Sequence, residues 1–374
     1  MRTLIVSDLH LGAASGVDLL RRPELREPLL AQLGDVDRLV LLGDVLELRH
    51  GPRREALQAA RDFFADLGRA LGEREIVVLA GNHDHALIEP WLERRSELPA
   101  QGPLALEQRF AAAEGSAMLA QLAHWATPAR LTGAYPGLWL RQDVYATHGH
   151  YLDCHLTIPT MERLGIGAMG RLLRRPARAF DSPDDYEAVT VPVFAWIDAV
   201  ARQATTGDAL NGGMTVRAWR VLNGEGSRNG GGLAATLRTR ALAAGFPLAV
   251  AALNRAGLGP FNADLSSGEL RRAGLRAMGE VALRLGLGEA HVIFGHTHRP
   301  GPLPGDAAGE WRGPGGARLM NTGCWTYDAY FLTSTPGESP YWPGCCVVLD
   351  DDAPPRLLRL LADRPHAELM PLPA

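Results

Sequence analysis

Residues 292–298 read V-I-F-G-H-T-H. Val292, Ile293 and Phe294 suit a buried strand. Gly295 lets the backbone turn, and His296 and His298 follow one residue apart. In an extended or tightly turned segment, residues i and i+2 point the same way. Two imidazoles on one side of a rigid strand end make half of a metal site. The plain alternative is a pair of surface histidines in a loop. A short motif alone leaves both readings open.

Working outward, the pattern recurs. Thr3–Val6 is an apolar run that leads to Asp8-x-His10. Arg38–Leu42 leads to Gly43-Asp44-x-x-Glu47, and Glu75–Ala80 to Gly81-Asn82-His83-Asp84. Leu138–Thr147 ends at His148-Gly149-His150, and Ala290–Phe294 at the stretch quoted above. Between the second and third runs, Leu57, Ala60, Phe64, Leu67 and Leu71 recur at helical spacing over Arg54–Leu71. Strands alternating with helices predict an α/β sheet buried on both faces, with ligands at the C-terminal strand ends. Ala317–Asn321 and Cys345–Asp350 read as closing strands of a second sheet.

The chain has 374 residues with 46% hydrophobic and 21% charged, the balance of a folded protein long enough for one large or two ordinary domains. All 38 basic residues are arginine, and the net charge of −4 argues against a general nucleic-acid binder. Cys154, Cys324, Cys345 and Cys346 form no CxxC pair, which suits a reducing compartment. Met1–Val6 is too short for a signal peptide before Ser7-Asp8. The best apolar run, Ala241–Asn254, contains Pro247 and stops at Arg255, so no membrane span is expected. The expected location is the cytoplasm.

Residues 151–289 differ from the rest. They hold helix-like runs, a Gly-rich patch at Asn229–Gly232, and 16 arginines against 13 acidic residues. A mildly basic helical insertion therefore interrupts an acidic core. The expected organisation is a core in two pieces, 1–150 and 290–350, an insertion at 151–289, and a Pro-rich, loose C-terminal tail at 351–374.

Mixed carboxylate, imidazole and amide ligands suit Mn²⁺, Fe²⁺, Zn²⁺ or Co²⁺, whereas a thiolate-rich zinc site is excluded by the absence of cysteine at these positions. One strand end of this kind is more often a turn, since Asp, Asn and Gly favour turns. Five together offer too many ligands for one ion. A carboxylate shared between two ions about 3.5–4 Å apart is the two-metal arrangement of phosphoester hydrolysis.

This ordered set, over about 1–150 and 290–350, resembles the calcineurin-like metallophosphoesterase family. The resemblance implies a four-layer α/β sandwich of two mixed β-sheets flanked by helices, here with a large, mainly helical insertion. It implies that Asp8, His10 and His298 hold one divalent ion, that Asn82, His148 and His296 hold a second, and that Asp44 bridges them. Manganese is the expected metal, with iron, zinc or cobalt as alternatives. His83 is placed as the residue that assists the leaving group, with Asp84 orienting it. The implied reaction is in-line attack on phosphorus by a metal-bridging hydroxide. Arg299 is a candidate phosphate contact and His150 a residue behind the ligands or near the substrate. His50, His124, His291 and His366 are expected to be structural or exposed, and His85 and His155 to lie in loops or a lid.

Asp8-Leu9-His10-Leu11, Gly43-Asp44-x-x-Glu47 and Gly295-His296-Thr297-His298-Arg299-Pro300 look like the UDP-2,3-diacylglucosamine pyrophosphohydrolase group. That likeness implies a phosphodiester or pyrophosphate substrate that is small, nucleotide-linked or lipid-linked. Two departures stand out: His83 occupies the place of that group's arginine, and the insertion is longer. A DNA-repair type nuclease, a cyclic-nucleotide or phosphomonoester hydrolase and a non-catalytic scaffold are the alternatives. Met161–Arg175 mixes apolar residues, arginines and three glycines. It reads as a lid helix packed on the core or as a basic amphipathic helix lying on an anionic membrane surface. Oligomeric state is not legible.

Overall fold

The apolar runs become strands because both of their faces are covered. In β1 (Thr3–Val6), Leu4 and Val6 join one hydrophobic cluster and Ile5 joins another. In β2 (Arg38–Leu42) and β3 (Glu75–Leu79), Leu39, Leu41, Ile76 and Val78 face the first cluster, and Val40, Leu42, Val77 and Leu79 the second. This period-2 division between two buried faces explains near-continuous apolar strands.

A computed structural model describes residues 1–97, 102–203, 247–264, 266–329, 332, 335 and 337–371. The chain divides into two compact units, Met1–His150 with Ala282–Ala374, and Tyr151–Val281. The Gly-rich patch Asn229–Gly232 lies outside the described residues.

The first unit is built on one ten-stranded mixed sheet. Beyond β1–β3 come β4 (Glu107–Ala111), β5 (Arg130–Arg141), β6 (Val144–Thr147), β7 (His291–Phe294), β8 (Arg318–Asn321), β9 (Cys345–Leu349) and β10 (Arg356–Arg359). The order is β10-β9-β1-β2-β3-β5-β6-β7-β8, with β4 also on β5. β1, β2 and β3 run parallel, with Ile5 opposite Val40 and Val40 opposite Val77. β6, β7 and β8 are parallel to one another, with Ala146 opposite Ile293. The second cluster draws on β1, β2, β3 and β9 and also on β5, β6 and β7, as befits a sheet curled over its own inner face.

Two expectations change and a third is met in its coarser form. The expected α/β fold is present with one large curled sheet, because β5 pairs with β3 through Arg130–Gly133 and with β6 through Gly137–Arg141. Leu138–Thr147 is two antiparallel strands rather than one. The segment from Asp351 on is no loose tail: β10 pairs with β9, which itself pairs antiparallel with β1, and Leu361 and Leu369 are fully buried. The helix Arg53–Leu71 forms as its spacing predicts, burying Ala56, Ala60, Phe63, Phe64, Leu67 and Leu71 and ending at Gly72 with φ 59°.

In the second unit, helices Met161–Leu172 and Pro183–Gln203 lie together with the segment around Leu258. A Cβ at Gly165 would sit 2.8 Å from Val193 Cγ1, and one at Gly167 would sit 2.7 Å from the Leu258 carbonyl oxygen. The glycines that would weaken an isolated helix here permit close packing. Tyr151 stacks on Tyr186 with ring centroids 4.6 Å apart, and His155 Nε2 lies 2.8 Å from the Tyr186 hydroxyl. Among the described residues, no helix is long and apolar enough to cross a membrane.

Candidate metal centre

The strand-end loops carry a backbone that ordinary residues avoid. Asp8, His10, Asp44, His296 and His298 all have positive φ, between 45° and 66°. Non-glycine residues rarely sit there, and each such position costs on the order of 1 kcal/mol or more. Hydrogen bonds from neighbouring loops hold the strain. Asp8 N–H donates to the Gly43 carbonyl at 3.1 Å and His10 N–H to the Asp44 carbonyl at 2.8 Å. Two glycines make room for side chains. A Cβ on Gly81 would fall 2.2 Å from Asp44 Oδ1, and one on Gly295 would fall 2.4 Å from Asp8 Oδ2.

The first ligand group is Asp8, His10 and His298. His298 Nε2 lies 3.4 Å from Asp8 Oδ1 and 3.2 Å from His10 Nε2. His10 Nδ1 faces Glu47 Oε2 at 3.2 Å, and His298 Nδ1 faces Asp328 Oδ2 at 3.8 Å. With their Nδ1 protons directed to carboxylates, both rings turn bare Nε2 atoms toward each other.

The second group is Asp44, His148 and His296, joined by Asn82. His148 Nδ1 donates to the Leu42 carbonyl at 2.9 Å, which leaves its Nε2 bare. That Nε2 lies 3.3 Å from Asp44 Oδ2 and 3.2 Å from Asn82 Oδ1. Asn82 Oδ1 is also 3.0 Å from His296 Nδ1. Turning the amide over would let its nitrogen donate to both rings and its oxygen accept from Arg49 at 3.2 Å. As it stands, an amide oxygen, a carboxylate oxygen and two imidazole nitrogens converge. Converging acceptors repel one another unless a cation lies among them. The donor set therefore fits divalent ions, and Asp44 stands between the groups, its Oδ2 also 3.7 Å from His10 Nε2.

The electrostatics follow from burial and pairing. Burial pushes the Asp44 carboxyl up, but His148, His83 and His10 outweigh it and hold it well below the usual carboxylate range. Burial pulls His148 down, yet Asp44 overrides it and lifts the ring to about 9. A ring that keeps its proton so firmly must release it to bind a cation.

Beside the ligands lies a carboxylate to which sequence reasoning assigned no role. Glu47 is 5% exposed and accepts from the main-chain N–H groups of Arg49 and His50 at 2.9 and 3.2 Å. It also faces His10, His83 and His50. Its signal was its place three residues after Asp44, in a strand-end motif of ligand-type residues from which the family resemblance assigned a role only to the aspartate.

Two expected roles change. Asp84 does not orient His83. Its buried carboxylate accepts from the main-chain N–H groups of Val45 and Gly81, both at 2.7 Å, and of Asp44 and Leu46, both at 3.3 Å, so it braces the two ligand loops. Burial, with the charge of Asp44, pushes it up to about 6. The partner of His83 is Glu47, 2.8 Å from its Nδ1. Burial pulls His83 down to about 4 against the upward pull of Glu47 and Asp44. Arg299 is no phosphate contact. Both ends of its guanidinium bond Asp306 at 2.6 Å, it lies over the Trp311 ring, and it is 6% exposed. His150 is buried behind His148, their ring centroids 5.7 Å apart, with its Nε2 3.2 Å from the Tyr135 hydroxyl.

This geometry is joined by one comparison. The family model for calcineurin-like phosphoesterase matches residues 1–181. That stretch is similar to calcineurin-like phosphoesterase domains. Members of this family are metal-dependent phosphoester hydrolases. The match takes in five of the seven side chains of the two ligand groups, Asp8, His10, Asp44, Asn82 and His148, while His296 and His298 come from the returning part of the chain. No curated protein matches the chain.

Proposed function

We propose that this phosphoesterase hydrolyses a phosphodiester or pyrophosphate bond at a pair of divalent ions, with manganese as the working metal. Asp8, His10 and His298 would hold one ion, Asn82, His148 and His296 the other, and Asp44 both. The observation that carries this reading is the position of Asp44 between two complete ligand groups. When bound, such a pair supplies an acidified water and positive charge for the phosphoryl oxygens.

The chain's own residues do the rest. Glu47 accepts a hydrogen bond from His83 Nδ1–H, which fixes the ring and turns its Nε2 outward to hold or move a proton at the leaving oxygen. Asp84 keeps the Asp44 and Asn82 loops in register through main-chain hydrogen bonds. The motif likeness favours a nucleotide-linked sugar or lipid as substrate, and the acidic balance of the chain gives a nuclease little support.

A contact with an anionic membrane surface is a second reading, supported by one feature. Leu172 and Leu173 are 76% and 43% exposed beside Arg171, Arg174 and Arg175. Pelleting with anionic liposomes at low salt is the expected behaviour, and its absence removes the reading.

The main test is a hydrolysis panel with added Mn²⁺: bis-p-nitrophenyl phosphate, p-nitrophenyl phosphate, a UDP-sugar, a UDP-linked lipid and single-stranded DNA. Turnover of diesters or pyrophosphates that Asp44→Ala abolishes is expected. Normal turnover and metal content in Asp44→Ala would sink the assignment.

A further inference from the structure

We propose that His50 is a further substrate-binding residue, holding a second phosphoryl group beyond the one that reacts. The inference rests on the phosphoesterase reading of the same site and goes beyond its ligands.

Three histidines share one carboxylate. Glu47 Oε2 faces His10 Nδ1 at 3.2 Å and His83 Nδ1 at 2.8 Å, and Glu47 Oε1 faces His50 Nδ1 at 3.2 Å. The rings form a series. His10 and His83 have centroids 4.7 Å apart, and His83 and His50 5.8 Å apart. Side-chain exposure rises along it from 7% at His10 to 21% at His83 and 37% at His50. The series thus runs from the ligand group out to solvent.

The carboxylate settles which nitrogen of each ring is available. An imidazole whose Nδ1–H is tied to a carboxylate presents its Nε2 to whatever lies on the other side. For His10 that is the ligand group. For His83 and His50, no partner for Nε2 is found among the described residues. A solvated surface histidine needs no such anchor. Glu47 is nearly fully buried, and burying a carboxylate is costly unless its bonds are used. One oxygen of Glu47 faces both the ring and the main-chain N–H of His50 and also accepts from the Arg49 N–H. The loop is therefore built so that the His50 ring is held in one orientation.

The chemistry follows from what already surrounds that ring. With His83 assigned to the leaving oxygen, the next imidazole along meets the group attached to that oxygen. In a simple diester that group is carbon-based and offers the ring little. In a diphosphate it is a second phosphoryl group, whose charged oxygens accept from the Nε2–H of His50 when Glu47, bonded to its Nδ1–H, holds the ring as the doubly protonated cation. His50 thereby selects for diphosphates.

The test compares UMP with UDP whose bridging oxygen is replaced by a methylene, so that the added phosphoryl group cannot be cleaved off, each binding to the full chain loaded with Mn²⁺. Calorimetry on wild type should show tighter binding of the UDP analogue. In His50→Ala that preference should shrink by about tenfold, the effect of losing one hydrogen bond to a charged group. His50→Gln, which keeps a hydrogen-bonding amide, should recover part of it. Thermal unfolding of each variant checks that the fold is intact, as expected for a partly exposed side chain. An unchanged ratio of UDP analogue to UMP affinity in His50→Ala, or no preference in wild type, overturns the role of His50 and leaves the phosphoesterase reading standing. A wild-type chain that takes up no Mn²⁺, seen before any nucleotide is added, overturns both.

Discussion

The two ligand groups are built from similar residues but are held by different means. In the first, each histidine is backed by a carboxylate: His10 by Glu47 at 3.2 Å and His298 by Asp328 at 3.8 Å. In the second, His148 is backed by the main-chain carbonyl of Leu42 at 2.9 Å. The exposures differ too. The His298 side chain is 25% exposed, whereas that of His148 is fully buried. A carboxylate behind an imidazole raises its basicity and can be altered by a side-chain change. A carbonyl of β2 cannot, because it belongs to the sheet. The first group is thus tuned by side chains and the second by the backbone.

The largest expected effect falls where the distinction ends, at the shared residue. Asp44→Ala should release metal from both groups and lower turnover on the order of a thousandfold, the scale of several kcal/mol of lost charge stabilisation. Metal analysis by mass spectrometry alongside kinetics reads both. Loss of one ion with the other bound at full strength would show that Asp44 serves one group only. Next comes Gly81→Ala, directed at the second group through the backbone. The added methyl would fall 2.2 Å from Asp44 Oδ1 and 2.7 Å from His148 Nε2. Overpacking of this kind costs about 1–3 kcal/mol of stability. A lower melting temperature and loss of metal from the second group are expected. Unchanged melting and metal content would show that the loop can move aside.

The ligands themselves were legible because each sits within four residues of an apolar run, so residue type and local spacing sufficed to find them. Their supports were not. The partners of Asp84 include Val45, 39 positions away, and Glu47 meets His83 across 36. No periodicity encodes such contacts. Asp84 looked like a partner for its neighbour, but its place at the start of the turn His85–Leu87 directs its carboxylate to main-chain donors. Arg299 looked poised for phosphate because it follows His298, yet the loop returns Asp306 to it. The continuity of the sheet through β5 was not legible for a related reason. β5 is twelve residues long and pairs on different partners in its two halves, which composition does not reveal. The positive φ of five ligands was also hidden, since aspartate and histidine give no local sign of it.

Glu47→Gln addresses the first group through its side-chain support. Glutamine keeps the shape but removes the charge behind His10, His83 and His50. Residues backing metal ligands in this way are typically worth about 10–100-fold in metal affinity or activity. Weaker Mn²⁺ binding confined to one of two sites in a calorimetric titration is expected, with a fall in turnover through His83. Equal weakening of both sites would break the comparison, since His148 has no contact with Glu47 among its hydrogen bonds.

The smallest effect belongs to Asp328→Asn, and it sharpens the same contrast. Asp328 Oδ2 lies 3.8 Å from His298 Nδ1, while Thr326 Oγ1 donates to Asp328 at 3.2 Å and lies 3.5 Å from the same ring nitrogen. The carboxylate backs His298 with its charge, and the threonine holds the geometry. Burial pushes Asp328 up, but His298 outweighs it and keeps the carboxyl below its usual range, so it is ionised at neutral pH. Asparagine removes that charge and leaves the shape. Metal affinity of the first group should fall by less than about tenfold, the low end for such supports, and less than in Glu47→Gln. Because a charge effect is screened by salt whereas a hydrogen bond is less so, the gap between wild type and variant should narrow as ionic strength rises. A gap that stays constant with salt would mean that Asp328 supports His298 by direct bonding, and the two carboxylates of the first group would then act alike.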